Sequence, residues 1–222
     1  MADNVAITAG SGTTVAADDV GSGVMHQRVK ATWGPDGTGN DTDVASGKPF
    51  PIQLRTSLGV EAVSFNVTTK TSVTKSTDAN AYTAGDVMSD SLSAPTAGGF
   101  TVTSAARISG GSGIITDAVI TTSADVATLL QGEIWLFDTS VTAVNDNAAF
   151  VVSDTEILTY IGKIPFTMED AGNNGSCHVT GLNIGFTCSG SANLRFLIKV
   201  KNAYTGVASE VIGVMLKIIQ TN

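Results

Sequence analysis

The sequence is poor in charge, in aromatic side chains and in long apolar runs, and each shortage excludes a class of protein. Charged residues make up 14% of the 222 residues, below the roughly 25% usual for soluble domains. No apolar run approaches the roughly 18 residues of a membrane-spanning helix. The net charge of −8 argues against general nucleic-acid binding, for which a basic patch supplies most of the affinity. We therefore expect neither a membrane nor a nucleic acid as a partner.

Cysteine and histidine are also scarce, which limits the chemistry open to the chain. Cys177 and Cys188 are too few for a disulfide framework. We expect both to be free and buried in a reducing cytoplasm, with a bridge across a hairpin as the alternative. The start of the chain lacks a cationic and apolar secretion signal, so we expect synthesis and folding in the cytoplasm.

No arrangement of residues points to catalysis. His26 and His178 are the only histidines, and His178 lies next to Cys177. Adjacent residues of a strand point to opposite faces, so these two cannot act as a nucleophile and its base. A zinc site needs three or four ligands, and the sequence offers them only with a distorted strand. The prediction is a protein without catalytic, metal-binding or cofactor-binding residues, and therefore not an enzyme.

From residue 64 onward the sequence is rich in Thr, Val, Ser and Gly, a composition typical of β-structure. Ser153 and Glu156 have the spacing of a capping box, which predicts at most one short helix. Short alternating or apolar runs recur at intervals of about 8–15 residues with turn signals between them, which predicts an all-β, antiparallel and jelly-roll-like β-sandwich. The predicted strands fall in 64–75, 81–92, 100–108, 113–122 (with a break near Asp117), 132–139, 164–168, 177–188, 193–201 and 209–220, and residues 146–152 are predicted to form a further short strand or a turn.

The first 60 residues differ from the rest and predict an extended N-terminal arm or connector, followed by a domain of residues 61–222. Residues 2–24 are small and polar and cannot bury enough apolar area to order themselves. Residues 24–33 alternate loosely, and Pro35-Asp36-Gly37 is a turn. The carboxylates of Asp36 to Asp43 do not keep the spacing of a calcium loop, so a solvated turn is the preferred interpretation and a calcium loop the alternative.

The arm carries the residues that we expect to bind a partner. Pro49 and Pro51 exclude a central strand, so Phe50 and Ile52 should lie extended over another surface. The predicted partner-binding residues are Gln27, Arg28, Val29, Trp33, Phe50, Ile52 and Arg55.

Two parts of the chain resemble structural proteins of tailed-bacteriophage virions. The N-terminal resemblance is carried by Ala16 to Asp19, Met25 to Lys30, Trp33 to Gly37 and Pro49 to Arg55. The later part is similar to a phage virion domain at Ala81 to Val87, Gly110 to Ile115, Ile134 to Phe137, Asp146 to Phe150 and Tyr160-Ile161-Gly162.

Within this class the chain looks most like a capsid decoration (cement) protein. The resemblance implies a β-sandwich homotrimer at the capsid surface that binds the major capsid protein where capsomers meet and clamps neighbours with extended arms. A tail- or fibre-associated virion protein is the first alternative. A carbohydrate-binding or hydrolytic receptor module is the second, since β-sandwiches host both functions.

Overall fold

The computed structural model describes residues 65–125 and 128–221 and, before them, four short strands without their side chains. These four strands form two antiparallel pairs, β1 (Ala17–Asp19) with β2 (Met25–Gln27) and β3 (Thr32–Trp33) with β4 (Asn40–Asp41). Backbone contacts divide the chain into two units, Met1–Leu54 and Arg55–Asn222. The boundary at residues 60 and 61 between an arm and a domain stays a prediction.

Residues 65–221 form two antiparallel sheets. Their strands are β5 (Phe65–Thr74), β6 (Ala81–Tyr82), β7 (Val87–Met88), β8 (Phe100–Val102), β9 (Ser112–Thr122), β10 (Gln131–Phe137), β11 (Tyr160–Thr167), β12 (Glu169–Asp170), β13 (Gly175–Thr187), β14 (Leu194–Val200), β15 (Tyr204–Thr205) and β16 (Val211–Gln220). Sheet I has the order β11-β10-β14-β7, and β8 also pairs with β14. Sheet II has the order β12-β13-β9-β16-β5, and β6 and β15 form a separate small pair.

The order of the strands identifies the type of sandwich. The main strands of the two sheets can be numbered from one to eight in chain order. The first is β5, and β7 and β8 together count as the second. The third to eighth are β9, β10, β11, β13, β14 and β16. Sheet II then contains the sixth, third, eighth and first positions side by side, and sheet I contains the fifth, fourth, seventh and second. This is the double Greek-key order of a jelly roll. The predicted all-β, jelly-roll-like antiparallel sandwich is confirmed.

The core lies between the sheets because alternate residues of the central strands are apolar. Ile134 and Leu136 of β10 and Ile198 of β14 come from sheet I, and Ile120 of β9 and Leu216 of β16 come from sheet II. Each is fully buried. Burying one such side chain contributes about 1.5–3 kcal/mol relative to leaving it exposed.

Strand β10 is apolar on both faces, as the sequence predicts for a central strand. Its second face carries Trp135 and Phe137, which pack in a smaller cluster on the outer side of sheet I. The ring of Trp135 lies 4.8 Å from that of Phe150 and 4.9 Å from that of Tyr160, measured between centroids. The segment around Phe150 therefore covers part of the outer face of this sheet.

The only helix within residues 65–125 and 128–221 is a single 3₁₀ turn, Glu156–Thr159. The predicted capping box is present: the Glu156 N–H bonds to Ser153 Oγ, and the Ser153 N–H bonds back to Glu156 Oε2 at 3.0 Å. In this part of the chain no helix is long and apolar enough to cross a membrane.

Two predicted strands are shorter or divided, because the backbone turns where the sequence alternates. Of residues 81–92 only Ala81–Tyr82 and Val87–Met88 form strands, and these pair in different sheets. Of residues 100–108 only Phe100–Val102 form a strand, since Ser104 has a positive φ of 54° and lies in a turn. Residues 146–152, predicted as a short strand or a turn, contain a turn at Asn147 with a φ of 59° and an isolated bridge between Ala149 and Asp86. The break in β9 is confirmed, because the pairing shifts register next to Asp117.

Candidate interaction surfaces

The arm residues that the sequence predicts to bind a partner cannot be tested against the sandwich. Gln27 lies in β2 and Trp33 in β3, whose side chains are not described. Arg28, Val29, Phe50, Ile52 and Arg55 lie outside the described residues. Of the Asp36–Asp43 loop only Asn40 and Asp41 are described, as strand β4. The anchoring role of the arm and the solvated-turn interpretation stay predictions.

The sandwich itself has an open edge at β5. This strand pairs with β16 without a register shift over its whole length. Immediately beyond it, the Lys75 N–H donates to the Glu210 carbonyl at 2.8 Å, and these two residues are opposite each other in the same register. Hydrogen-bonded and non-hydrogen-bonded pairs alternate in an antiparallel ladder. Every second residue of β5 therefore points its N–H and C=O away from β16: Asn66, Thr68, Lys70, Ser72 and Thr74.

This edge lacks most devices that keep sheet edges from pairing with other chains. Proteins protect edges with proline, with bulges, with charge or with a covering segment. Strand β5 has no proline, no bulge and a single charge, Lys70. Its five outward-facing residues are all exposed, and no other described residue bonds to their backbone groups. Among the described residues, the edge therefore leaves five N–H and five C=O groups for a further strand.

A groove of about 610 Å³ opens beside the same edge. Lys70 and Arg107 give its lining positive charge, and Val67 and Ala106 give it apolar surface. Thr69 also lines it and is 9% exposed, yet its hydroxyl has no hydrogen-bond partner within the described residues. A side chain that entered the groove would meet apolar atoms, a cation and an unpaired hydroxyl.

A second feature is a group of three lysines around one carboxylate on the outer face of sheet I. Glu133 accepts hydrogen bonds from Lys163 Nζ at 2.7 Å and from the Trp135 indole at 2.9 Å, and Lys201 Nζ lies 3.7 Å away. Lys199 Nζ lies 5.7 Å from the centre of the Trp135 ring. Burial tends to raise the pKa of Glu133, but the hydrogen bonds from Lys163 and Trp135 outweigh it and hold that pKa below its usual value.

The packing around Trp135 bears on sugar binding. Carbohydrate sites use an exposed aromatic ring face, whereas Phe150, Tyr160 and the ammonium groups of Lys163 and Lys199 surround this indole. The local charge of three lysines and one glutamate is positive in a chain whose net charge is −8. This cluster packs the segment around Phe150 and Tyr160 against the outer face of sheet I.

Two buried carboxylates hold the β6–β15 pair against the sandwich. Asp146 is 3% exposed and accepts the Tyr82 hydroxyl at 2.7 Å, and Glu210 is fully buried and accepts the Tyr204 hydroxyl at 2.7 Å. The two tyrosine rings stack at 6.3 Å. Burial, followed by these hydrogen bonds, raises the pKa of both tyrosines. Each carboxylate is tied to a tyrosine inside the fold, so we interpret both as structural.

The predicted orientation of Cys177 and His178, on opposite faces of one strand, is confirmed. The Cys177 side chain packs against the core and the His178 side chain is 49% exposed, so the two point to opposite faces of β13. His178 Nε2 lies 3.7 Å from Oδ1 of the Asp117 carboxylate. Both cysteines are free; Cys188 is buried as expected, whereas Cys177 is only half-buried. Within the described residues no three His, Cys, Asp or Glu side chains come together as metal ligands.

Sequence reasoning found the strands but not these surfaces. The order of strands in a sheet depends on contacts distant in sequence, so nothing local marks β5 as an edge. The lysine cluster leaves a weak signal, because Lys199 and Lys201 are two apart on one strand and share a face. Their partner Glu133 comes from a different strand, and that pairing is not visible in the sequence.

Comparison with known proteins adds no relative. The sequence matches no protein-family model and no curated protein.

Proposed function

We propose that the protein is a structural virion component that decorates a tailed-phage capsid. In this proposal it binds the major capsid protein between capsomers, as a homotrimer, on the outer surface of the head. The observation that carries the proposal is the jelly-roll strand order of the sandwich, together with an edge at β5 with which no described residue pairs. The best-formed free feature of the domain is a row of backbone groups suited to another chain, and jelly rolls are frequent in viral capsid proteins.

The mechanism is stabilisation by mass action. A protein that binds the assembled lattice but not its dissociated subunits shifts the equilibrium toward the lattice. Each site contributes about 2.7 kcal/mol when the free protein is present at about 100 times its Kd. With a pI near 4.5 the exterior avoids the packaged DNA and keeps particles apart.

The arm supplies the contact with the capsid in this proposal. Gln27 to Trp33 would add as a strand to the edge of a neighbouring sheet, and Phe50 and Ile52 would anchor in apolar surface. An arm that becomes ordered on binding loses conformational entropy but covers a large area.

The test combines electron cryomicroscopy with reconstitution. We expect the intact virion to show the sandwich in many symmetric copies at capsomer boundaries. Heads that lack the protein should take up the purified full chain and resist heat better. A variant without residues 1–55 should not bind them, and a full chain with Trp33→Ala and Phe50→Ala should bind more weakly.

Three outcomes would count against parts of the proposal. Density confined to the tail would favour the tail- or fibre-associated alternative. Equal decoration by the full chain and by the variant without residues 1–55 would remove the arm from the capsid contact. Binding to a glycan array would favour the receptor-module alternative, against which the packing of Trp135 on Phe150 and Tyr160 argues.

A further inference from the structure

We propose that the open edge of β5 accepts residues 2–16 of a second copy of this chain as an additional antiparallel or parallel strand. The inference deepens the proposed function, because it says how the copies of the oligomer are joined. It rests on the edge, on the groove beside it and on the sequence of the first 16 residues.

The edge is long enough to specify its occupant. Asn66 to Thr74 cover nine residues of β5, or roughly 27 Å at about 3.3 Å per residue. Residues 2–16 supply 15 residues, and none of them is proline. Every second backbone N–H of the incoming segment can therefore donate to the edge, and no proline interrupts this series.

Pairing of β5 with β5 of a second copy is the obvious competitor, and Lys70 disfavours it. Lys70 is the middle one of the five outward-facing residues. In the symmetric antiparallel register, which uses the whole edge, it would lie opposite the same lysine of the other copy. Like charges directly opposite each other destabilise a strand pair. Registers shifted by two residues separate the lysines but lose part of the ladder.

Charge selects residues 2–16 over the other extended segment of the arm. Residues 2–16 contain one carboxylate, Asp3, and no lysine or arginine. Gln27 to Trp33 contain Arg28 and Lys30, which would face Lys70 and the cationic lining of the groove. The acidic segment therefore fits the β5 edge better, and the basic segment stays available for the capsid.

The side chains of the segment also fit the groove. Val5 and Ile7 are two residues apart, so in a strand both point to the same side. On the inner side of the added strand they would meet Val67 and Ala106, which line the groove. Thr13 points to the same side as Val5 and Ile7 and adds a hydroxyl, and the buried hydroxyl of Thr69 has no partner within the described residues.

Strand donation of this kind joins copies head to tail. Each copy has one donor segment and one β5 acceptor edge, so a ring that closes leaves no β5 edge without a donor. A closed ring of three copies satisfies the proposed homotrimer.

The experiment measures the mass of variants of the full chain by native mass spectrometry and light scattering. Ser72→Pro removes an outward N–H that β16 does not use, so the sandwich keeps its ladder but loses a bond to the added strand. Ser72→Ala is the matched control, since it keeps that N–H. A variant without residues 2–16 removes the donor and leaves every described strand intact. Circular dichroism and melting temperature check that each variant is folded.

We expect the full chain and Ser72→Ala to be oligomers, and Ser72→Pro and the variant without residues 2–16 to be monomers. A mixture of the two monomeric variants contains one intact donor and one intact edge, so it should give a one-to-one heterodimer. If Ser72→Pro only damaged the fold of the sandwich, mixing it with the variant without residues 2–16 would not restore association. If Ser72→Pro proves unfolded, Thr68→Pro provides the same test on a second outward N–H.

An unchanged mass without residues 2–16, a monomeric full chain or no heterodimer in the mixture would overturn the inference. The outcome separates it from the proposed function. Oligomers that depend on residues 2–16 and on β5 but bind no capsid would support the strand donation and contradict the capsid role. If the variants instead kept the oligomeric mass of the full chain and bound capsids, the result would support the capsid role and contradict the strand donation.

Discussion

At the scale of single residues, the hydrogen bond from Tyr82 to Asp146 has a measurable effect on stability. Tyr82 is 1% exposed, and Asp146 also accepts the Ser89 N–H at 2.8 Å. Tyr82→Phe leaves a buried carboxylate short of one donor, which costs about 1–3 kcal/mol. We expect a lower free energy of unfolding by about that amount in denaturant titrations followed by fluorescence.

Tyr160→Phe is the matched control for Tyr82→Phe. The Tyr160 hydroxyl donates no hydrogen bond to a described residue, and its ring contacts with Trp135 and Phe137 do not need the hydroxyl. Its substitution should change stability by less than about 0.5 kcal/mol. Equal losses for the two variants would mean that the hydrogen bond to Asp146 contributes nothing of its own.

Other residues show where sequence reasoning ends. The opposite faces of Cys177 and His178 follow from the period of a strand and were predictable. The bond between Tyr82 and Asp146 joins residues 64 positions apart. The chain contains 20 acidic residues, and nothing in the sequence marks Asp146 as a buried one.

At the scale of elements, the capping box of the 3₁₀ turn makes the stability of the covering segment depend on pH. Glu156 accepts the Ser153 hydroxyl at 2.6 Å and the Thr142 N–H, and these bonds lower its pKa from 4.5 to about 2. A carboxyl whose pKa is lower in the folded state stabilises the fold above its unfolded pKa. That contribution is lost as the pH falls from about 4.5 to about 2.

We therefore expect Glu156→Gln, which keeps an acceptor oxygen but removes its charge, to lower stability at pH 7 by about 0.5–1.5 kcal/mol. The variant should also lose part of the decline in stability that the parent shows between pH 4.5 and 2. Asp154→Asn is the control, because the Asp154 carboxylate lies in the same turn and accepts no hydrogen bond from a described residue. The same slope in the parent and in Glu156→Gln would place the acid sensitivity elsewhere.

Elements are also the scale at which the sequence was most informative. The alternation in 64–75 and 113–122 and the two apolar faces of 132–139 predicted β5, β9 and the central strand β10. The turn at Ser104 was not predictable, because its positive φ is imposed by the surroundings and not by the residue type. The arm residues from Gln27 to Arg55 remain predictions, since they need a partner that a single chain does not contain.

At the scale of the whole molecule, the described members of both hydrophobic clusters fall within residues 67–218. A fragment of residues 56–222 should therefore keep the β-sandwich and unfold cooperatively. Because this fragment lacks residues 2–16, it should also be monomeric.

A fragment of residues 76–222 provides the contrast, because it also lacks β5. It loses the buried Val73 and Lys75 and exposes the backbone groups of β16 along a new edge, next to the core residues Ile212, Val214 and Leu216. We expect it to aggregate or to remain unfolded, as shown by size-exclusion chromatography and circular dichroism. A folded fragment 76–222 would mean that β5 is dispensable to the sandwich. An unfolded fragment 56–222 would mean that the N-terminal residues complete the fold, and the division between arm and domain would then be wrong.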